Sequence, residues 1–152
     1  VIYRGERELN MGDRTYLKMD IASIDEKKAD EIMGGVNSFF SRYEEQDDPA
    51  ILELFEEDAN YGYYCEREEW AKAGLIFRGS HNEGGDYGAQ LFCAIDGVHY
   101  CVDAGHNSSN PMCPIDRETG NPMKAELQAI WDYLEAMEKV EKYFEQRRKE
   151  TK

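Results

Sequence analysis

The sequence is poor in the residues and spacings that announce a chemistry. Its 152 residues include 4 cysteines and 3 histidines, and no two cysteines form the close C-x2-C pair with which a turn delivers two ligands to one zinc tetrahedron. Cys101, His106 and Cys113 come nearest, without zinc spacing. No metal and no cofactor are therefore expected. No apolar run approaches the about 20 residues that span a bilayer, and the start VIYRGERELNMGDRTYL has no apolar signal-peptide core. That pattern points to a cytoplasmic protein with no membrane contact. Internal repeats and low-complexity blocks are also missing, which excludes solenoids and tail-like segments. Lone serines and cysteines lack a nucleophile elbow or a Cys/His signature. The glycines of SHNEGGDYG are followed by no lysine and no helix of the phosphate-binding kind. No catalytic residue is assigned, and a non-enzymatic role is the expectation.

Basic residues are scarce too: 18 against 32 acidic ones, a formal charge of −14. Solubility of a small domain needs only about 2–8 units. Such an excess repels nucleic acid directly and speeds encounter with basic proteins. It is concentrated, because from Glu44 to Glu69 eleven carboxylates meet one base, Arg67. Within that stretch Asp47, Asp48, Glu53, Glu56, Glu57, Asp58, Glu66, Glu68 and Glu69 alternate with Tyr61, Tyr63 and other apolar residues. Aromatic side chains beside charge are what protein interfaces enrich.

Length and a 41% hydrophobic composition suit one domain with one core. The periodicities predict an α+β fold. Ile2–Leu9 and Thr15–Ala22 read as a hairpin around Asn10-Met11-Gly12-Asp13. Ser23 and Glu26 have capping-box spacing before a helix predicted over Ile24–Tyr43, with Gly34 and Gly35 inside it. Asp48-Pro49 reads as an N-cap with proline at the first helical position, predicting a second helix over Pro49–Glu57. In that helix Glu56, Glu57 and Asp58 would oppose the dipole. Tyr61, Tyr63, Tyr64 and Cys65 read as strand-like, EREEWAKAG as a helical turn closed by Gly74, and LIFRG as a strand. Asp96-Gly97 is the preferred pair for a type I′ hairpin turn. It sets Ile95 against Val98, Cys93 against Tyr100 and Leu91 against Val102. Cys93 and Cys101 then point to opposite faces, which disfavours a disulfide between them and leaves reduced thiols as the expectation. Asn121 and Pro122 open a long C-terminal helix with a stripe of Leu127, Ile130, Trp131, Leu134, Met137, Val140 and Phe144. A frayed tail is expected over 147–152. The sum is a small antiparallel sheet packed against an N-terminal helix and a long C-terminal one.

Two functions follow. The first is a binding protein whose carboxylates stand in for DNA phosphates, inhibiting or sequestering a basic, nucleic-acid-handling partner such as a nuclease. The second is a small ligand-binding protein or enzyme with a pocket lined by His81, Asp86, Tyr87 and His99, between the 80–88 loop and the 91–102 hairpin. GSHNEGGDYGAQLFCAIDGVHYCVD, residues 79–103, resembles the Gly-Gly-Asp strand region of SUKH-type immunity proteins, which bind and neutralise toxins. The proline-aromatic helix and Asn-Gly-Gly segment of that family are not evident upstream, and membership is not assigned. In size and charge the chain is similar, as a class, to inhibitors of nucleases such as anti-CRISPR proteins. A homodimer stays open.

Overall fold

The computed structural model describes residues 14–22, 26–34, 41–42, 48, 50–84, 87–105 and 109–150. The first predicted strand, Ile2–Leu9, lies outside them. In chain order the elements are β1 (Arg14–Ala22), α1 (Glu26–Met33), β2 (Ser41–Arg42), β3 (Ile51–Asn60), a 3-10 turn (Tyr61–Tyr63), α2 (Tyr64–Lys72), β4 (Phe77–His81), β5 (Gln90–Ile95), β6 (Val98–Asp103) and α3 (Lys124–Glu150). The strands form one antiparallel sheet in the order β2-β3-β1-β4-β5-β6. The fold is α+β in a single domain.

Register sorts the side chains into rows across the sheet, because directly opposed residues of antiparallel strands share a face. One face carries the rows Leu52–Ile21–Phe77–Ala94–His99, Leu54–Met19–Gly79–Phe92–Cys101 and Glu56–Leu17–His81–Gln90–Asp103. Against its apolar part pack Ala29 and Met33 of α1 and Trp70 and Ala71 of α2. Gly79 makes room in the middle row, since a Cβ there would collide with the Phe92 ring and with the backbone of Lys18. The other face carries Glu53–Asp20–Arg78–Cys93–Tyr100 and Phe55–Lys18–Ser80–Leu91–Val102. Leu91, Cys93, Ile95 and Val102 there meet Tyr133, Ala136, Val140 and Phe144 of α3. Burying each large apolar side chain contributes about 1.5–3 kcal/mol, so both faces are held chiefly by this packing.

The Asp96-Gly97 hairpin forms with positive φ at both positions, 54° and 79°. It has the predicted register. Four predicted elements differ. The first helix ends at Met33, because Gly34 takes a left-handed φ of 59° and its N–H bonds Asp30 O at 3.1 Å. Ser41 and Arg42, predicted inside that helix, pair with Phe55 and Leu54 as a strand. The second predicted helix, Pro49–Glu57, is instead mostly β3. Its Leu52, Glu53, Leu54, Phe55 alternation fits a period of two, and β1 and β2 flank it. Asp48 closes a turn ahead of the strand, with Oδ1 accepting from Ala50 N at 2.9 Å and its carbonyl from Ile51 N at 3.2 Å. With no helix there, Glu56, Glu57 and Asp58 oppose no dipole.

The third difference is at Tyr61–Cys65, a 3-10 turn leading into α2 rather than a strand. The fourth is at the C-terminus, where α3 runs through Glu150 and Arg148 Nε meets Asp48 Oδ2 at 2.7 Å. The last two residues of the tail predicted over 147–152 lie outside the described residues. The predicted stripe of α3 also divides, for Val140 and Phe144 enter the core while Trp131 and Leu134 face away from it.

Candidate functional site

Of the residues of the ligand reading, His81 and Tyr87 meet ring to ring, while His99 stands on the same sheet face among other partners. On the sheet face under α2, the row containing His81 and Gln90 lies beside the row containing Cys101, and the row containing His99 is the next one on. The chain leaves β3 through Tyr61, Gly62 and Tyr63, all left-handed with φ of 49°, 59° and 55°. Two non-glycine residues in that region mark a strained turn. The turn lays Gly62 against the His81 ring, where a Cβ would clash, and starts α2 so that Arg67 points at the sheet. Tyr61 and Tyr87 rings lie 5.6 Å apart, as do His81 and Tyr87. His99 contacts Tyr64, Phe77 and Phe92. Asp86, the remaining predicted member, lies outside the described residues.

Arg67 is the feature that spacing did not reveal. It is 0% exposed, and its guanidinium lies 4.0 Å from the Phe92 ring centroid. Nη2 donates to Gln90 Oε1 at 3.4 Å and Nη1 to Cys101 Sγ at 3.9 Å; Nε finds no acceptor among the described residues. Burial lowers its pKa. The cation is held by ring faces and neutral dipoles, a combination that suits the flat, weakly hydrated guanidinium better than an ammonium. In sequence it looked like one base lost among acids.

Gln90 Oε1 also accepts from the Cys101 thiol at 3.0 Å and faces His81 Nε2 at 3.0 Å. His81 Nδ1 lies 2.8 Å from Asn82 O, a carbonyl that also takes the Thr15 hydroxyl at 2.6 Å. Nδ1 must therefore carry a proton, and a neutral ring then turns its Nε2 lone pair towards an acceptor. A second proton would satisfy both contacts, but burial lowers the His81 pKa. His99 is driven down to about 4, first by burial and then by Arg67. Burial raises the pKa of Cys101, with Arg67 opposing. The cluster thus holds one cation, two rings kept neutral and a protonated thiol. Such a set can receive an anion or relay a proton.

The acidic residues do not converge. Glu53 and Phe55 share the face of β3 that looks towards the α3 side, whereas Glu56 belongs to the row of Leu17 and His81 on the other face. The register shift opposite Tyr16 brings Ala59 back to the core, and Glu57 is exposed at that point. The side chain of Asp58 and all of Asp47 lie outside the described residues, and Asp48 is engaged by Arg148. Glu66, Glu68 and Glu69 stand on α2, beyond the opposite face; Tyr63 packs on Trp70 and Tyr61 is half exposed. What β3 does assemble is a smaller surface. Tyr16 and Phe55 stack at 6.1 Å beside Glu53 and Glu57, with Lys18 directly opposite Phe55 and Asp20 paired to Arg78, on the part of the sheet beyond α3, which lies mainly over β5 and β6.

Among the described residues no group of three or more His, Cys, Asp or Glu is placed to hold a metal ion. No helix among them is long and apolar enough to cross a membrane. The cysteines are free thiols. Fold and cluster together define an α+β domain with helices on both faces of an antiparallel sheet. Comparison with protein families, curated proteins and solved structures found no match.

Proposed function

We propose that the protein is a non-enzymatic acidic binding protein that sequesters a basic partner, of the kind that handles nucleic acid. The observation that carries this reading is the stacked Tyr16–Phe55 pair beside Glu53 and Glu57, on a face where Lys18 is the basic residue opposite Phe55 and Asp20 is paired to Arg78. A pair of rings gives a partner an apolar anchor, and the surrounding carboxylates steer basic surfaces towards it. Internal ion pairs such as Arg78–Asp20, Lys142–Glu138 and Arg148–Asp48 remove equal numbers of each sign. The excess of 14 negative charges therefore survives any pairing within the chain.

A second reading is supported by Arg67, whose buried charge sits without a carboxylate partner among the described residues; it takes the cluster as a receptor for a small anion. One experiment addresses both. The protein is immobilised and challenged with purified basic nucleases and repressors over a salt series, while melting is followed with inorganic phosphate and simple carboxylates. The first reading expects capture that falls steeply with salt and is abolished by Glu53→Lys with Glu57→Lys, but not by Glu66→Lys with Glu69→Lys on the opposite layer. Capture indifferent to the strand reversals would sink it. The second expects a rise in melting temperature with an anion that Arg67→Met removes.

A further inference from the structure

The outward side of α3 carries an apolar seam, begun by Met123 just ahead of the helix, of which the sheet uses only Ile130 and Met137. Met123, Leu127, Ile130, Leu134 and Met137 follow one another in alternating steps of four and three residues, the spacing with which one helix packs along another. The seam on the sheet is made by Tyr133, Ala136, Val140 and Phe144. At 3.6 residues per turn the two seams lie about 100° apart. Ile130 and Met137 lie between them and are half-buried. Trp131 is 60%, Leu134 44% and Met123 41% exposed. An apolar stripe of this kind on a soluble helix marks an interface.

Charge selects the occupant. Along the open flank of the seam, Lys124 stands at the N-terminal end, Glu135 and Glu138 follow, and Lys142 stands beyond them. An identical helix laid antiparallel brings each Lys124 to the other's Glu135 and Glu138. Parallel packing would set each end against its own like charge. Antiparallel packing also opposes the two helix dipoles and meets the requirement of a twofold axis, that one patch complement itself. Glu138 is paired with Lys142 at 3.1 Å, but both side chains are about seven-tenths exposed, and such pairs are readily exchanged.

We propose that the protein forms a twofold homodimer in which α3 of each copy packs antiparallel on the other through Met123, Leu127, Trp131 and Leu134. Sedimentation equilibrium on the full chain over the micromolar range tests it, with a dimer mass expected. Leu134→Glu should weaken association at least about 100-fold, because each dimer loses two apolar side chains from the seam and gains two carboxylates there. Circular dichroism and melting of that variant should match the wild-type monomer, since Leu134 is outside the core. Lys124→Glu should weaken the dimer, and adding Glu135→Lys with Glu138→Lys should restore it. Of the two tryptophans, Trp70 is buried, so the change in emission on dilution reports Trp131. A monomer mass throughout, a dimer indifferent to Leu134→Glu, or a charge swap that restores nothing would each overturn the proposal.

Discussion

Replacing Gly62 by alanine separates two costs that usually arrive together. Gly62 and Gly34 share a φ of +59°, so alanine at either position meets the same left-handed penalty, about 1–2 kcal/mol. At Gly34 the new Cβ has nothing within 4 Å, whereas at Gly62 it lies 2.8 Å from His81 Nε2 and 2.9 Å from Cγ. The neighbouring Tyr61 and Tyr63 are already left-handed, so the backbone has little room to yield and the ring must move. His81 is 3% exposed. Displacing it loses the bond to Asn82 O at 2.8 Å, worth about 0.5–1.5 kcal/mol. It also disturbs the ring's packing on Tyr87, worth about 0.5–1.5 kcal/mol. Gly62→Ala should therefore be less stable than Gly34→Ala by about 1–3 kcal/mol in urea unfolding. Its melting temperature should be lower by about 2–4 °C for each of those kcal/mol. Equal destabilisation of the two variants would refute the claim that the turn and the histidine are locked together.

Stability should also depend on pH through His99. Its folded pKa is about 4 against about 6.5 for an unfolded histidine; the neutral ring's contribution is complete above the unfolded value and is lost as pH falls towards 4. His99→Phe, placed among Phe77, Phe92 and Tyr64, should gain stability relative to wild type between pH 7 and 4, and a flat difference between their unfolding free energies would contradict the assignment. Thiol chemistry should separate the cysteines: Cys65 is exposed and should react with iodoacetamide in the native protein. Cys93, at 0% exposure and with its pKa pushed up to about 12 by burial, should react only after unfolding, and comparable native rates would exclude the packing described.

Local chemistry made part of the fold legible. Asp96-Gly97 dictates its turn, and the turn dictates which residues of β5 and β6 face each other. The failure at Pro49–Glu57 has an equally definite cause. Ile51, Leu52, Leu54 and Phe55 satisfy helical and strand periods alike over so short a run, and the Asp48-Pro49 pair tipped the reading towards a helix cap. The choice was made by pairing with β2 and with β1, the latter distant in sequence, which window periodicity does not see. The candidate site was half legible for the same reason. His81, Tyr87 and His99 lie near the hairpin in sequence and could be grouped, whereas Arg67 arrives from α2 through the turn at Tyr61–Tyr63. Its only sequence signal was a lone base in the acidic stretch. The stripe of α3 reads as one in sequence because its two seams share the half-buried Ile130 and Met137.

The register shift in β3 has a consequence for how this chain can vary. A strand with a strict period of two cannot change length without turning every later side chain to the wrong face. Between Thr15 and Leu17 the partner strand carries two residues opposite one, and such a bulge is where an added or lost residue is absorbed. The pair opposite Tyr16 is Glu57 and Asp58. The frame set by Leu52 and Leu54 on one side, and by Ala59, Gly62 and Arg67 on the other, can stay fixed while the charges between them are rewritten. Sequences that share this fold should therefore differ most, in length and in charge, at the point where the acidic run crosses the bulge.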